Sequence, residues 1–145
     1  MTEISKPLKT YINLYKILTE SSRRFTGGLE GLGFNEFIIL YHLENAGNKK
    51  LRRIDLAEKI GLTASGVTRL LAPMEKIGLI EKEAAARDAR VSYVKITPAG
   101  ERNLSDTKER AEELASMVFP PEKLEKISGL EDFLTGLGGP VRYTT

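Results

Sequence analysis

Between Thr63 and Lys76 the sequence reads TASGVTRLLAPMEK, with Ser65, Thr68 and Arg69 at i, i+3 and i+4. On a helix that spacing makes them neighbours on one face. Two hydroxyls can donate or accept, and a guanidinium offers a rigid fork of donors. Such a group suits the edges of base pairs, since an arginine can span guanine O6 and N7 while a hydroxyl adapts to several bases. Ala64, Ser65, Thr68 and Arg69 are therefore the candidate base-contacting residues. Lys49, Arg52, Arg53, Thr63 and Lys76 are candidates for phosphate contacts, which set affinity and register without reading sequence. A second cluster, Arg87, Asp88 and Arg90, lies in EAAARDAR (83–90). Arginines on a loop tip suit the narrow minor groove, where the negative potential is enhanced.

The net charge of +2 over 145 residues conceals an asymmetry. Residues 49–102 hold 12 Lys and Arg against 7 Asp and Glu, a net +5, while the remainder holds 10 against 13, a net −3. A basic middle between acidic ends suits a polyanion. On charge alone, a randomly charged surface explains it equally well. Other chemistries are poorly supplied. The absence of cysteine excludes disulfides, thiolate catalysis and thiolate metal sites. There is one histidine, His42, no glycine-rich phosphate loop and no His/Asp/Glu set at metal-ligand spacing. No catalytic centre, metal or cofactor is expected. The opening MTEISKPLKT lacks the apolar run of a signal peptide, and no apolar stretch of about 18 residues occurs. A cytoplasmic protein without membrane contact is expected.

The elements that position these residues follow from the apolar pattern. Pro7 opens a helix whose Leu8, Tyr11, Ile12, Leu14, Tyr15, Ile17 and Leu18 occupy more than one stripe, so one side calls for a second chain. Gly27, Gly28, Gly31 and Gly33 mark a loop before a second helix, 34–45. LRRIDLAEKIG (51–61) reads as a helix with Ile54, Ala57 and Ile60 on its apolar face and Gly61 as its stop. Thr63 is a good N-cap for helix 64–77, whose stripe is Val67, Leu70, Leu71, Met74 and Ile77. Pro73 should bend that helix. EAAARDAR has helical propensity, yet it stands between LIEKE (79–83) and VSYVKIT (91–97), which have strand character. Gly78 ends the preceding helix, so this stretch is expected as the end of a strand and a hairpin tip. Thr97-Pro98 starts a long helix to about 118, Pro120-Pro121 breaks it, and a last amphipathic helix follows.

Two short helices joined by a tight turn and followed by a two-stranded hairpin make a winged helix-turn-helix. From Leu51 to Gly100 the chain resembles the MarR-type (multiple antibiotic resistance regulator) family. DLAEKIGLTASGVTRLLAPMEKIGLIEKE resembles the family's helix-turn-helix and first wing strand, and RDARVSYVKITPAGE its Asp-x-Arg wing signature and the start of its long helix. The resemblance implies a mainly α fold with a small β-hairpin wing, built as one domain over 1–145. In it, residues 34–100 form the DNA-binding lobe, and helices 5–26 and 98–138 form the dimerisation region. It further implies a homodimeric transcriptional regulator, commonly a repressor. Recognition helix 64–77 would enter the major groove of a pseudo-palindromic operator and wing 84–90 the minor groove, with Asp88 positioning the wing for Arg90. Members commonly bind a small aromatic or phenolic effector, for which Tyr11, Tyr15, Phe34 and His42 are the candidates; for the tyrosines, packing within a dimer is the plainer explanation. Family wings are often arginine-rich, whereas here Glu83 is followed by three alanines. The alternative is a winged helix that contacts proteins without reading DNA sequence.

Overall fold

The computed structural model describes residues 3–88 and 90–137, so Ala89 of the expected wing and residue 138 of the expected last helix lie outside the described residues. The chain divides into two units, residues 1–111 and 112–145. Within the first unit stand α1 (Lys6–Gly28), α2 (Phe34–Glu44), a 3-10 turn (Gly47–Lys49), β1 (Lys50–Arg52), α3 (Arg53–Ile60), α4 (Ala64–Lys76), β2 (Ile80–Ala84) and β3 (Ser92–Ile96). Helix α5 (Pro98–Val118) starts in the first unit and runs into the second, which also holds α6 (Pro121–Leu137).

EAAARDAR closes a hairpin, as the flanking strand pattern indicated. Strands β2 and β3 pair antiparallel from Ile80↔Ile96 to Ala84↔Ser92, and the Ala85 amide donates to the Val91 carbonyl at 2.9 Å beyond the last strand pair. Tertiary pairing thus overrides the helical preference of the alanines. The hairpin is not two-stranded alone. Lys50–Arg52, of which Leu51 and Arg52 were expected to open a helix, is a third strand on the far side of β3, giving the order β1-β3-β2. Arg52 is extended, and α3 begins only at Arg53.

Cross-strand partners point to the same side of a sheet. The pairs Leu51↔Val94 and Ile80↔Ile96 therefore mark the side that faces the core. Leu56 and Ala57 of α3, Val67, Leu71 and Met74 of α4, and Ile39, Leu40 and Leu43 of α2 complete the cluster. Burying each of the larger side chains stabilises the lobe by about 1.5–3 kcal/mol.

Three details of the helices differ from the sequence expectation. Helix α1 continues through Gly27 and Gly28, and the loop begins at Leu29, which is itself buried. On α3 the buried face is Leu56 and Ala57, while Ile54 is 64% exposed. Ile60 packs against the core as expected, so of the expected face only Ile54 is displaced, by Leu56. On α4 the buried stripe ends at Met74. Ile77 is the C-cap, already outside the helical repeat, and is exposed.

Two close contacts fix the junctions. Gly61 takes φ 70°, a left-handed conformation that ends α3 and lets the Leu62 amide reach the Ala57 carbonyl at 3.0 Å. At the start of α5, the Thr97 hydroxyl donates to the Gly78 carbonyl and accepts from the Gly100 amide at 3.1 Å. A Cβ on Gly100 would collide with the Leu79 carbonyl and the Ile96 side chain, so only glycine allows this approach.

In the second unit, α6 buries no residue, and Leu124, Leu130, Phe133 and Leu137 are exposed. No helix among the described residues is long and apolar enough to cross a membrane.

Candidate nucleic-acid interface

Helix α4 starts where Thr63 caps it, its hydroxyl accepting from the Gly66 amide at 3.0 Å. The stripe Val67, Leu71 and Met74 is drawn into the core, which turns the opposite face outward. Ala64, Ser65, Thr68 and Arg69 are all exposed on it. The Thr68 hydroxyl donates its proton to the Ala64 carbonyl at 2.9 Å, so toward solvent it presents lone pairs. Ser65 and Thr63 share a hydroxyl contact of 3.2 Å. Pro73 lies within α4 without ending it. Having no amide hydrogen, it leaves the Arg69 carbonyl without its usual helical donor.

At the wing, the Asp88 side chain accepts from the Arg90 amide at 2.9 Å, and its carbonyl accepts from the Val91 amide at 3.1 Å. A carboxylate that bonds the backbone two residues on organises a tight turn. Asp88 thus shapes the turn that carries Arg90, which is exposed together with Arg87.

The cations divide into two sets. Lys49 is held by Glu101 at 2.8 Å and Glu44 at 3.1 Å, tying the start of α5 to the end of α2. Both hydrogen bonds raise its pKa, that to Glu101 first. Arg52 is clamped by both oxygens of Asp55, at 2.7 and 2.9 Å. That hydrogen bond holds the Asp55 carboxyl below its ordinary value and the Arg52 guanidinium above its own. By contrast, Arg53, Arg69, Lys76, Arg87 and Arg90 have no ion pair among the described residues. Of the five candidate phosphate contacts, Arg53 and Lys76 are unengaged cations, Lys49 and Arg52 are internally paired, and Thr63 is engaged as a cap.

Other charged residues, not singled out from the sequence, meet on the outer side of the sheet. The register places Lys50 beside Lys95, and Glu83 beside Tyr93. Lys50 Nζ lies 3.0 Å from Glu83 Oε1 and 4.9 Å from the centre of the Tyr93 ring. The Lys50 hydrogen bond is the main reason that the Glu83 carboxyl titrates below its ordinary value. Strand alternation, which puts Glu81, Glu83, Tyr93 and Lys95 on one side, was the available signal; the third strand that brings Lys50 was not visible.

The aromatic candidates do not form one cluster. Phe34 packs on Phe25 at 4.6 Å and lies 6.2 Å from Phe37, whereas His42 meets Tyr41 edge-on at 5.3 Å. Tyr11 and Tyr15 are each 67% exposed on α1, and among the described residues no ring contact joins them to Phe34 or His42. Burial, then the charge of Lys59, lowers the His42 pKa. No group of three His, Asp or Glu among the described residues could hold a metal ion.

Known proteins share this fold. The pattern of the MarR family matches residues 30–91. The uncharacterized HTH-type transcriptional regulator YdgJ of Bacillus subtilis is 26% identical over 93 residues, which make up 64% of this chain and 51% of YdgJ. The match thus spans about half the length of that relative. Among solved structures, Sco3205, a MarR family transcriptional regulator from Streptomyces coelicolor in complex with DNA, superposes with a TM-score of 0.81 at 17% identity. That superposition covers 97% of this chain and 93% of Sco3205. PcaV from the same organism, in complex with its natural ligand, gives a TM-score of 0.80 at 15% identity over 94% of this chain and 96% of PcaV. At such identities the superpositions establish the winged-helix fold, while the sequence match from 30 to 91 takes in the helix-turn-helix and the Asp-x-Arg wing. The capped helix α4 and the Asp-ordered turn both fall within the residues that match this pattern, and over residues 30–91 the chain is similar to the MarR family.

Proposed function

We propose that this chain is a DNA-binding transcriptional regulator that works as a homodimer on a pseudo-palindromic operator. In this reading α4 enters the major groove and residues 84–90 the minor groove. One observation carries it. The core-opposed face of α4 offers Ser65, Thr68 and Arg69 to solvent, and Arg69 has no internal partner among the described residues, as is also true of Arg87 and Arg90 at the wing. An arginine left unpaired beside short hydroxyls suits a base edge, and unpaired arginines on an ordered tip suit a narrow groove. Sco3205, with the same fold, is crystallised with DNA.

The dimer is supported by α1, whose Leu8, Tyr11, Ile12, Tyr15, Ile17 and Leu18 are exposed, and by the exposed apolar residues of α6. Apolar surface on this scale marks an interface. Residues 5–26 and 98–138 form the dimerisation region in this proposal. Each protomer then reads one half-site, with the half-sites about one helical turn, ~10 bp, apart. A small effector that alters operator binding belongs to the proposal, as PcaV is crystallised with its natural ligand. Tyr11, Tyr15, Phe34 and His42 remain its candidate contacts. A panel of phenolic compounds in thermal-shift measurements tests that part, and no shift at millimolar ligand would leave these residues to packing.

The main test is selection of bound sequences from a random duplex library at several salt concentrations. A split palindrome is the expected result. Salt-steep binding without a consensus would refute sequence-specific readout and leave only phosphate attraction.

A further inference from the structure

The outer side of the sheet carries a groove of about 570 Å³ lined by the Gly47–Asn48 turn, Lys50, Tyr93, and the hairpin from Glu83 to Arg87. Two cations border it. Arg87 has no ion pair among the described residues, and Lys50 is held by Glu83 and lies over the Tyr93 ring. Glu83 is poorly matched to this position. One carboxylate oxygen bonds Lys50, but the other is buried without a hydrogen-bond partner, with Lys95 Nζ at 3.9 Å, too far for one. A half-exposed ion pair contributes little to stability, and an unsatisfied buried oxygen takes some of that away. A carboxylate beside two lysines stands where another oxyanion would be bound more fully.

We propose that this groove is a phosphate-binding site for the DNA backbone, occupied in the free protein by the Glu83 carboxylate. The proposal rests on the DNA-binding reading above and extends it to a surface beside the wing tip. A backbone phosphate entering the groove takes Lys50 from Glu83 and gains Arg87, at the edge of the tip that the reading places in the minor groove. Glu83 then sets how strongly the site holds: its charge opposes the phosphate and engages the lysine. Tyr93 completes the site, its ring supporting the Lys50 ammonium through its face, while Lys95 lies behind Glu83 at 3.9 Å. The occupant is duplex DNA rather than a free anion, because the groove is open and continuous with the exposed Arg87.

The test is a salt titration of duplex binding by the full chain, comparing wild type with Glu83→Gln, Lys50→Gln, the double variant and Glu20→Gln. Glu20 pairs with Lys16 on α1 and controls for the change in net charge. Glu83→Gln should tighten binding roughly three- to tenfold at low salt and steepen the slope of log affinity against log salt by up to about 0.9, the value for one phosphate contact, because Lys50 no longer has to leave a carboxylate that must then take up a cation. Lys50→Gln should cancel that gain in the double variant, and Glu20→Gln should leave the slope unchanged. Glu83→Asp, which draws the carboxylate back from Lys50, should give a smaller change of the same sign. Equal slopes for wild type and Glu83→Gln, a gain that survives Lys50→Gln, or the same gain in Glu20→Gln would each overturn the site. Inorganic phosphate that binds the wild type but not Lys50→Gln, without competing with the duplex, would assign the groove to a free anion instead. A wild-type chain that binds no duplex at all would refute the function itself, which distinguishes the two failures.

Discussion

The winged-helix lobe and helix α1 contain comparable apolar sequence, yet they treat it in opposite ways. In the lobe, Ile39, Leu40, Leu43, Leu56 and Val67 are fully buried against one another. Along α1, which is 23 residues long, no side chain is buried and most of the apolar residues, from Leu8 to Leu18, are exposed. The lobe is closed because three helices and a sheet give each apolar stripe a facing surface. A helix with apolar residues on more than one stripe cannot satisfy them against a single neighbour. One region of the molecule is therefore closed within the chain, and the other leaves apolar surface open, as the proposed dimer requires.

The largest effect should come from opening the closed region. Leu43→Ala leaves a cavity between α2 and its neighbours and should cost about 2–5 kcal/mol in denaturant unfolding; a cost under ~1 kcal/mol would mean that the lobe is not the stable unit. Gly100→Ala should cost about 1–3 kcal/mol, because the added methyl meets the Leu79 carbonyl. Chemical shifts of the β2 and β3 amides would show whether the strain reaches the wing.

The outward-facing region gives a different response. Ile12→Glu should convert the proposed dimer to monomer in sedimentation while leaving the near-ultraviolet signature of the lobe intact. Loss of both together would erase the contrast between the regions. Comparable in energy to the glycine change, Arg69→Ala or Arg90→Ala should weaken operator binding by about 1–3 kcal/mol without altering the melting temperature. Full affinity in both variants would remove α4 and the wing from the interface.

The smallest effect concerns acid. Burial lowers the His42 pKa, so the unfolded chain binds the proton more readily. Stability is then complete above the ordinary histidine value of 6.5 and declines as pH falls from there through the folded pKa. His42→Gln should flatten that decline, read from denaturation midpoints across the same range. An unchanged profile would place His42 in solvent.

Much of this architecture was legible from local patterns. Thr63, Gly61 and the stripe Val67, Leu71 and Met74 locate the helix-turn-helix because capping, left-handed turns and helical periodicity are short-range effects. Asp88 had its place in the wing only from the family resemblance, and the structure supplies the turn it forms with the Arg90 amide. What escaped was decided at long range. Lys50–Arg52 became a strand only because β3 was there to pair with it. Ile54 and Ile77 lie on the helical stripe by spacing, and the packing of α2 and the end of α4 left them outside.

The site divides along the same line. Residue type and periodicity by themselves determined that Ser65, Thr68 and Arg69 share an outward face, since the opposite stripe is apolar and must be buried. Only the tertiary structure decided which cations are spoken for. Lys49 joins Glu101 from 52 residues away, and Lys50 joins Glu83 across the sheet. Charge is written in the sequence, but its availability depends on which carboxylates the fold brings within reach, and that is fixed by packing.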